Sequence, residues 1–89
     1  MKIKLELFGA SRDLSDKEFL EFNIEKKTSI KDFKKKIINY VDAKFKGNEN
    51  YKKIIETSAF CSEDNNIISE NYKITKDQKI GIIPPIGGG

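Results

Sequence analysis

Histidine and tryptophan are absent from this 89-residue sequence, and cysteine occurs once, as Cys61. The chain can therefore form neither an internal disulfide nor a histidine-based catalytic triad. A zinc site is not expected, because such sites need several cysteine or histidine ligands. No base is available to activate the Cys61 thiol, so we expect it to be a small hydrophobic residue of a strand. A lone thiol fits a reducing compartment, and a cytoplasmic location is expected.

Long apolar runs are also missing, since none approaches the roughly 20 residues needed to span a bilayer. The sequence enters a strand-like pattern at residues 1–4, so neither a signal peptide nor a membrane partner is expected. Seventeen basic and 14 acidic residues are interspersed, and the net charge is +3. The one tight basic run, Lys34 to Lys36, carries no interleaved aromatic residues. It is predicted to be the solvated face of a helix in preference to a nucleic-acid site.

Proline is scarce, and both prolines, Pro84 and Pro85, lie near the end of the sequence. Residues 80–89 include no charged residue, although charged residues make up 35% of the chain. Proline lacks a backbone N–H, so this pair is expected to end the preceding apolar strand and project the chain stiffly. Gly87 to Gly89 have no side chains and could enter a narrow channel. We therefore expect the free C-terminus to be the working end of the molecule.

The rest of the chain alternates between strand and helix patterns. Residues 2–8 and 17–24 alternate apolar and polar residues and predict two strands joined by a turn at residues 9–16. Ser29 is a predicted helix N-cap, with Asp32 three residues later. The helix carries one apolar stripe and is predicted to stop at Gly47; the stripe comprises Ile30, Phe33, Ile37, Val41 and Phe45.

The second half of the sequence is predicted to return to the sheet. Residues 51–56 read as a loop or a short helical turn, and residues 57–61, 67–68 and 79–83 read as strands. A single helix that covers one face of a mixed sheet buries both apolar surfaces. We therefore predict an α+β, ubiquitin-like β-grasp fold of four to five strands with one main amphipathic helix, and the first and last strands side by side in the middle. The predicted organisation is a domain at residues 1–83 and a flexible tail at 84–89.

The α-carboxylate of Gly89 is the reactive group that this organisation presents. Its ordinary pKa is about 3.5, so it is ionised and unreactive until it is activated, most simply by ATP to an acyl-adenylate. Sulfide or a persulfide would then give a thiocarboxylate, whereas an amine or thiol would transfer the whole domain to a partner. The sequence has no phosphate-binding glycine motif of its own, which indicates a carried substrate more than a catalyst. The alternative is that the glycines are an end without function.

Residues 79–89 resemble the C-terminus of the small subunit of molybdopterin synthase, the MoaD type. The similarity lies in Ile82-Ile83-Pro84-Pro85-Ile86 and the closing Gly88-Gly89. Leu7-Phe8-Gly9-Ala10-Ser11-Arg12-Asp13-Leu14 is similar to the first strand and following loop of that family. Thr28-Ser29-Ile30 and Ala59-Phe60 fit as well, so the resemblance extends over the whole chain.

This resemblance implies a β-grasp sulfur carrier. An ATP-dependent, E1-like enzyme would adenylate Gly89, which would become a thiocarboxylate, and the tail would insert into the large subunit of the synthase. Sulfur would pass to cyclic pyranopterin monophosphate to form the dithiolene of molybdopterin. The family also implies a heterotetramer of two small and two large subunits. No cofactor is expected on the chain itself, because ATP is used by the activating enzyme, and no nucleic acid partner is expected.

Roles for individual residues follow from the same resemblance. Gly89 would carry the sulfur. Residues expected to thread the partner's channel or set the exit of the tail are Pro84, Pro85, Ile86, Gly87 and Gly88. Candidates for docking the partner are Phe8, Phe60 and Ile83, for which an ordinary place in the core is the alternative, and Arg12, which would form a salt bridge with the partner or remain a solvated charge.

Two other functions stay open at this point. A sulfur carrier of the thiamine type, or a ubiquitin-related modifier acting in tRNA thiolation or conjugation, also ends in Gly-Gly. Pro84-Pro85 and the stretch Phe8 to Arg12 favour the molybdopterin type. The third possibility is a β-grasp interaction domain with no covalent role and weak affinity for RNA, and such a domain would not need Gly88 and Gly89.

Overall fold

The structure is a computed structural model that describes residues 1–85. Its strands are β1 (Lys2–Leu7), β2 (Phe19–Asn23), β3 (Thr28–Ser29), β4 (Ala59–Cys61), β5 (Ile67–Ile68), β6 (Lys73–Ile74) and β7 (Gln78–Ile83). The helices are α1 (Ile30–Lys44) and α2 (Glu49–Thr57), and a 3-10 helix covers Gly9–Leu14. The main sheet has the strand order β2-β1-β7-β4-β5, and β3 pairs with β6 in a separate two-stranded sheet.

The first and last strands lie side by side in the middle of the main sheet, as predicted. β1 and β7 are parallel, with Leu5 opposite Ile80 and Leu7 opposite Ile82. Each also pairs antiparallel with an outer neighbour, β2 or β4. Alternate residues of both central strands point toward the helices and are buried, so the core lies against one face of the sheet while the other face stays open.

Helix α1 packs across the covered face of the sheet. It begins where the sequence predicts, because the Ser29 side chain accepts a hydrogen bond from the Asp32 N–H at 3.2 Å. Its stripe residues within the helix are at most 1% exposed; they are Ile30, Phe33, Ile37 and Val41. Each such side chain contributes about 1.5–3 kcal/mol through burial.

Helix α2 differs from the predicted loop or short helical turn at residues 51–56, because it is a complete helix of 9 residues. Lys46 and Gly47 adopt left-handed φ angles of 54° and 70°, which end α1 and reverse the chain at once. Asn48 then caps α2 by accepting a hydrogen bond from the Tyr51 N–H at 3.1 Å. Ile55 is fully buried, and the Tyr51 ring packs edge-on against Phe45, so tertiary packing stabilises the helix.

The predicted turn at residues 9–16 is largely a 3-10 helix that closes one end of the core. The Ser11 hydroxyl is buried, donates to the Phe8 carbonyl at 2.6 Å and accepts from the Phe8 N–H at 3.0 Å. Leu14 is 2% exposed, and its carbonyl accepts a hydrogen bond from Tyr40 of α1. These contacts give the segment a fixed conformation, which positions Phe8 and Gly9 beside the end of β7.

Neither α-helix within residues 1–85 has the length and hydropathy needed to cross a membrane. No group of three or more histidine, cysteine, aspartate or glutamate side chains is placed to hold a metal ion there. Cys61 is a buried free thiol, in agreement with its predicted place in a strand.

Candidate functional site

The candidate site begins where the central strand β7 leaves the sheet. Its last ladder pair is Ile83 with Ala59 of β4. Pro84 follows and has no N–H to continue the ladder. Gly9, with a φ of +54°, lies against this proline, since a Cβ at Gly9 would be 3.9 Å from Pro84 Cδ. The chain therefore leaves the centre of the sheet beside the first turn of the 3-10 helix.

The structure describes the first two residues of the predicted tail, Pro84 and Pro85. Pro84 is half-buried and Pro85 is exposed. The predictions for Ile86, Gly87, Gly88 and Gly89 lie outside the described residues. They remain predictions, and the site that can be described is the surface from which the tail departs.

Around the exit, the open face of the sheet carries a group of small and apolar residues, which we call the exit patch. Strand register and alternation place them on the face opposite α1. The patch comprises Phe8, Ala59, Cys61, Ile67, Gly81 and Ile83. Phe8, Ile67 and Ile83 are the large hydrophobic residues of the described chain that are notably exposed, at 42%, 67% and 36%. Because grouped exposed apolar residues are typical of interaction sites, the exit patch is the candidate docking surface.

Gly81 forms the floor of the exit patch. A Cβ at this position would lie 2.6 Å from the Cys61 sulfur and 3.1 Å from Cε2 of Phe8. The thiol and the aromatic ring therefore close over the bare backbone of β7. This contact holds the Phe8 ring against the sheet and buries Cys61 to 7% exposure.

The predicted docking residues divide between this surface and the core. Phe8 and Ile83 lie in the exit patch, as the docking hypothesis requires. Phe60 is 2% exposed and belongs to the hydrophobic core, where it pairs across the sheet with Ile82. Since its neighbours Ala59 and Cys61 take the open face, alternation sends Phe60 inward, and we withdraw it as a docking residue.

Arg12 extends from the 3-10 helix into solvent, with its side chain 57% exposed. Its Nη2 atom is 3.5 Å from Oε1 of Glu18, which is itself 78% exposed. Exposed pairs of this kind contribute at most about 1 kcal/mol. The guanidinium is thus free to exchange Glu18 for a carboxylate on a partner, and the partner salt bridge stays a prediction.

Polar groups border the exit patch on the side away from the tail. Lys79 Nζ lies 3.8 Å from Oε2 of Glu6, and the Lys79 N–H donates to the Glu63 carboxylate at 2.6 Å. These contacts fix strand β7 against its neighbours just before Gly81. The surface thus has an apolar centre and a charged border, which is the usual anatomy of a protein–protein interface.

A shallow groove of about 290 Å³ lies on the other side of the exit, between the 3-10 helix and α2. Ala10, Ile54 and the two exit prolines form its apolar walls, and Lys53 supplies a charge. The volume is at the lower limit for small-molecule pockets, so the groove suits a side chain of a partner better than a substrate.

Two groups with shifted pKa values lie on the helix side of the molecule. The hydrogen bond to Asp42 and the charge of that carboxylate raise the pKa of Lys52. The hydrogen bond from Lys34 and its charge lower the pKa of Glu70. Both shifts come from ion pairs that connect neighbouring elements, so they reflect packing and not chemistry at the exit.

The sequence analysis did not assign four residues of the exit patch to this face of the sheet: Ala59 and Ile67, which are exposed, and Cys61 and Gly81, which are buried. A strand was predicted at residues 57–61 and is found at Ala59–Cys61, and its alternation puts Ala59 and Cys61 on the face opposite Phe60. That signal was available in the sequence. The close approach of Phe8 and Cys61 to Gly81 was not, because it depends on the pairing of β1, β7 and β4.

No protein-family model matches the sequence, and no curated protein is significantly similar to it. The structure is similar to that of SAMP1 from Haloferax volcanii, with a TM-score of 0.68, 9% sequence identity and 100% coverage of both chains. It is also similar to a protein described as molybdopterin converting factor, subunit 1, from Pyrococcus furiosus. That comparison has a TM-score of 0.68 and 17% identity, and covers 96% of this chain and 98% of the other. At these identities the likeness establishes the fold, and the predicted β-grasp architecture is confirmed.

Proposed function

We propose that this chain is a sulfur carrier whose reactive group is the carboxylate of Gly89. The observation that carries the proposal is the geometry of the exit, where the central strand is ended by two prolines beside an exposed apolar patch. A carrier needs a rigid body, a surface that partners recognise and a slender reactive segment next to that surface. The fold shared with SAMP1 and with molybdopterin converting factor subunit 1 supports this assignment.

The chemistry follows from the carboxylate. Attack of one Gly89 oxygen on the α-phosphate of ATP forms an acyl-adenylate and releases pyrophosphate. Hydrosulfide then adds to the activated carbonyl carbon and AMP leaves, which gives a thiocarboxylate and a proton. Transfer of the sulfur to an acceptor and entry of a water oxygen restore the carboxylate. The activating enzyme supplies the catalytic groups, and this chain supplies the acyl group and the surface by which it is held.

We further propose molybdopterin synthesis as the pathway, with the chain as the small subunit and cyclic pyranopterin monophosphate as the acceptor. The Pro84-Pro85 pair and the stretch from Phe8 to Arg12 support this choice over a thiamine or tRNA-thiolation carrier. The expected partners are a synthase large subunit and an E1-like enzyme, which would dock on Phe8 and Ile83. The free thiol of Cys61 supports a reducing, cytoplasmic location.

The direct test is intact-mass spectrometry of the protein purified from its own cells. The proposal takes Gly89 as the last residue of the mature chain, which the same measurement checks first. We expect a population heavier by about 16 Da at the C-terminus, because one oxygen is replaced by sulfur. Deletion of Gly88 and Gly89 should abolish the modified population. The control variant Lys76→Gln, which changes a residue outside the tail, should retain it.

A C-terminus that remains a plain carboxylate in the presence of its activating enzyme, ATP and a sulfur source would contradict the carrier function. If the deletion of Gly88 and Gly89 also left cellular function intact, the chain would be a non-covalent interaction domain. The pathway is tested separately by co-purification. Capture of a tRNA-thiolation or thiamine enzyme instead of a synthase large subunit would replace the molybdopterin assignment and leave the carrier chemistry in place.

A further inference from the structure

A second concave surface lies far from the exit patch, between the loop that follows β2 and one face of α1. It is an open cleft of about 650 Å³, which we call the lysine cleft. Its polar walls carry four lysines and two asparagines: Asn23, Lys26, Lys27, Lys35, Lys36 and Asn39. Aromatic side chains are absent from its described lining.

Of the three lysines in the basic run at residues 34–36, two line the cleft and one does not. Lys35, Lys36 and Asn39 follow Asp32 at helical spacings of three, four and seven, so they share one face of α1. Lys34 points elsewhere, since its side chain is 15% exposed and its ammonium pairs with Glu70 at 2.9 Å. The solvated helix face that the sequence predicts is therefore one wall of a cleft, and the loop lysines form the other.

The lysines of the cleft form few ion pairs with the described residues. Lys26, Lys27 and Lys36 take part in none of the ion pairs found within residues 1–85, and Lys35 has one contact, with Asp32 at 3.7 Å. Four lysines and two lining carboxylates, Glu25 and Asp32, give a local net charge of +2, compared with +3 for the whole chain. The lining of this concave surface thus carries a net positive charge, although it holds only 4 of the 17 basic residues of the chain.

We infer that the lysine cleft binds an extended, acidic peptide segment of a protein partner. Lysine ammonium groups attract carboxylates without imposing a fixed geometry. Asn23 and Asn39 add amide groups that can both donate to and accept from a peptide backbone. Neither side chain takes part in a hydrogen bond found within residues 1–85, so both amides are available to a ligand.

Two features favour a peptide over a nucleic acid. Single-stranded RNA is held by aromatic side chains on which its bases stack, and such side chains are lacking in the described lining of the cleft. The carboxylates of Glu25 and Asp32 would repel a continuous phosphate backbone, whereas a peptide can place its acidic residues opposite the lysines and neutral residues opposite the carboxylates.

The position of the cleft separates it from the tail. Asn23 pairs with Lys2 where β1 begins, and β7 leaves the sheet beside the other end of β1. β1 has 6 residues, so the two surfaces are separated by a strand length of about 17 Å. A partner could hold the domain at the lysine cleft while the exit patch engages another protein. The inference does not depend on the proposed carrier function.

The inference can be tested with a capped decapeptide of alternating glutamate and glycine, titrated into the full chain labelled with nitrogen-15. We expect saturable shifts of backbone amides in residues 23–28 and 32–39, with binding that weakens as salt is raised. The double variant Lys26→Gln/Lys36→Gln should bind about tenfold more weakly, because two exposed charge contacts are lost. Lys17→Gln/Lys76→Gln, with the same change in net charge outside the cleft, should bind as the parent does.

Three outcomes would overturn the inference. The first is shifts scattered over lysines throughout the molecule, or equal weakening in both double variants. The second is equal binding of a decapeptide of alternating glutamine and glycine. The third is tighter binding of a uridine hexanucleotide at the same amides, which would assign the cleft to nucleic acid. Amide spectra of the variants also report whether they fold, so a loss of binding cannot be confused with a loss of structure.

Discussion

Gly81 is the residue of β7 against which side chains from two other parts of the sheet pack most closely. The missing side chain lets Cys61 of β4 and Phe8, just after β1, approach the backbone of β7 from both sides. Its φ is not in the left-handed region, so the requirement for glycine is steric and not conformational. Nothing in the local sequence Lys79 to Ile83 shows this requirement, because both neighbours come from distant parts of the chain. The sequence therefore predicts the strand, but it does not show why residue 81 has to be glycine.

The substitution Gly81→Ala should lower the free energy of unfolding by about 1–3 kcal/mol, because the new methyl group overlaps the Cys61 sulfur. Removing that sulfur should relieve the overlap. We expect Gly81→Ala/Cys61→Ala to be more stable than the sum of the single changes by about 1–2 kcal/mol. Urea unfolding of the four proteins measures this coupling. Strict additivity would show that the contact between the two residues is not tight.

At the scale of elements, the sequence predicted α1 in detail and missed the extent of α2. Ser29 and a regular apolar stripe identify α1 without reference to the rest of the molecule. In α2, Tyr51 and Ile55 also lie at helical spacing after the cap Asn48, but the helix is short and depends on its packing against α1. The two-residue strands β3 (Thr28–Ser29) and β6 (Lys73–Ile74) were missed because neither is an apolar pair, whereas β5, of the same length, was predicted from Ile67-Ile68.

Lys34 of α1 forms an ion pair with Glu70, which lies in the segment between β5 and β6. We expect the contribution of this ion pair to stability to be lost in acid. The hydrogen bond from Lys34 lowers the pKa of Glu70 below its usual value of 4.5 in the folded state. The unfolded chain therefore binds this proton more readily, and the contribution to stability is present above pH 4.5 and is lost as pH falls through the lowered pKa. Glu70→Gln should reduce stability at pH 7.

The difference between the parent and Glu70→Gln should shrink as pH falls below 4.5 and through the lowered pKa of Glu70, as measured by urea unfolding at a series of pH values. Glu18→Gln, which removes a carboxylate from the exposed pair with Arg12, is the matched control. We expect it to change stability little at any pH. A difference between the parent and Glu70→Gln that stays constant with pH would show that shape, and not charge, is what Glu70 contributes.

At the scale of the whole molecule, the sheet divides its residues between a buried face and an open one. The sequence predicted this architecture because the first and last strands are both apolar enough for a central position. It named Phe8, Ile83 and Phe60 together as docking candidates with a core position as the alternative, and only the structure separates the exposed Phe8 and Ile83 from the buried Phe60. The face on which a phenylalanine lies is set by strand register, and β4 is too short to show its register from composition alone.

This division predicts opposite results for two phenylalanine substitutions. Phe60→Ala should lower the free energy of unfolding by about 3–5 kcal/mol, because it opens a cavity in the core. Phe8→Ala should cost about 1 kcal/mol or less, since the ring is 42% exposed. Phe8→Ala should nevertheless weaken binding to the activating enzyme at least tenfold, as expected for an aromatic anchor of an interface.

Urea unfolding and a binding titration on the same samples separate the two effects. Phe60→Leu serves as the control, because it keeps most of the buried volume and should leave both stability and binding near those of the parent. If Phe8→Ala bound the enzyme as tightly as the parent, the exit patch would not be the docking surface.

The parallel pairing of β1 with β7 also has a consequence for how the protein is made. During synthesis, residues 1–77 leave the ribosome before β7. They contain the pair β1–β2 and the pair β4–β5, which share no backbone hydrogen bonds with each other in the main sheet. β7 is the element that connects them, through contacts with residues more than 70 positions earlier. Domains generally fold as units once their sequence is available. A nascent chain therefore cannot complete this sheet, or assemble the exit patch, until the strand that leads into the tail has itself been translated.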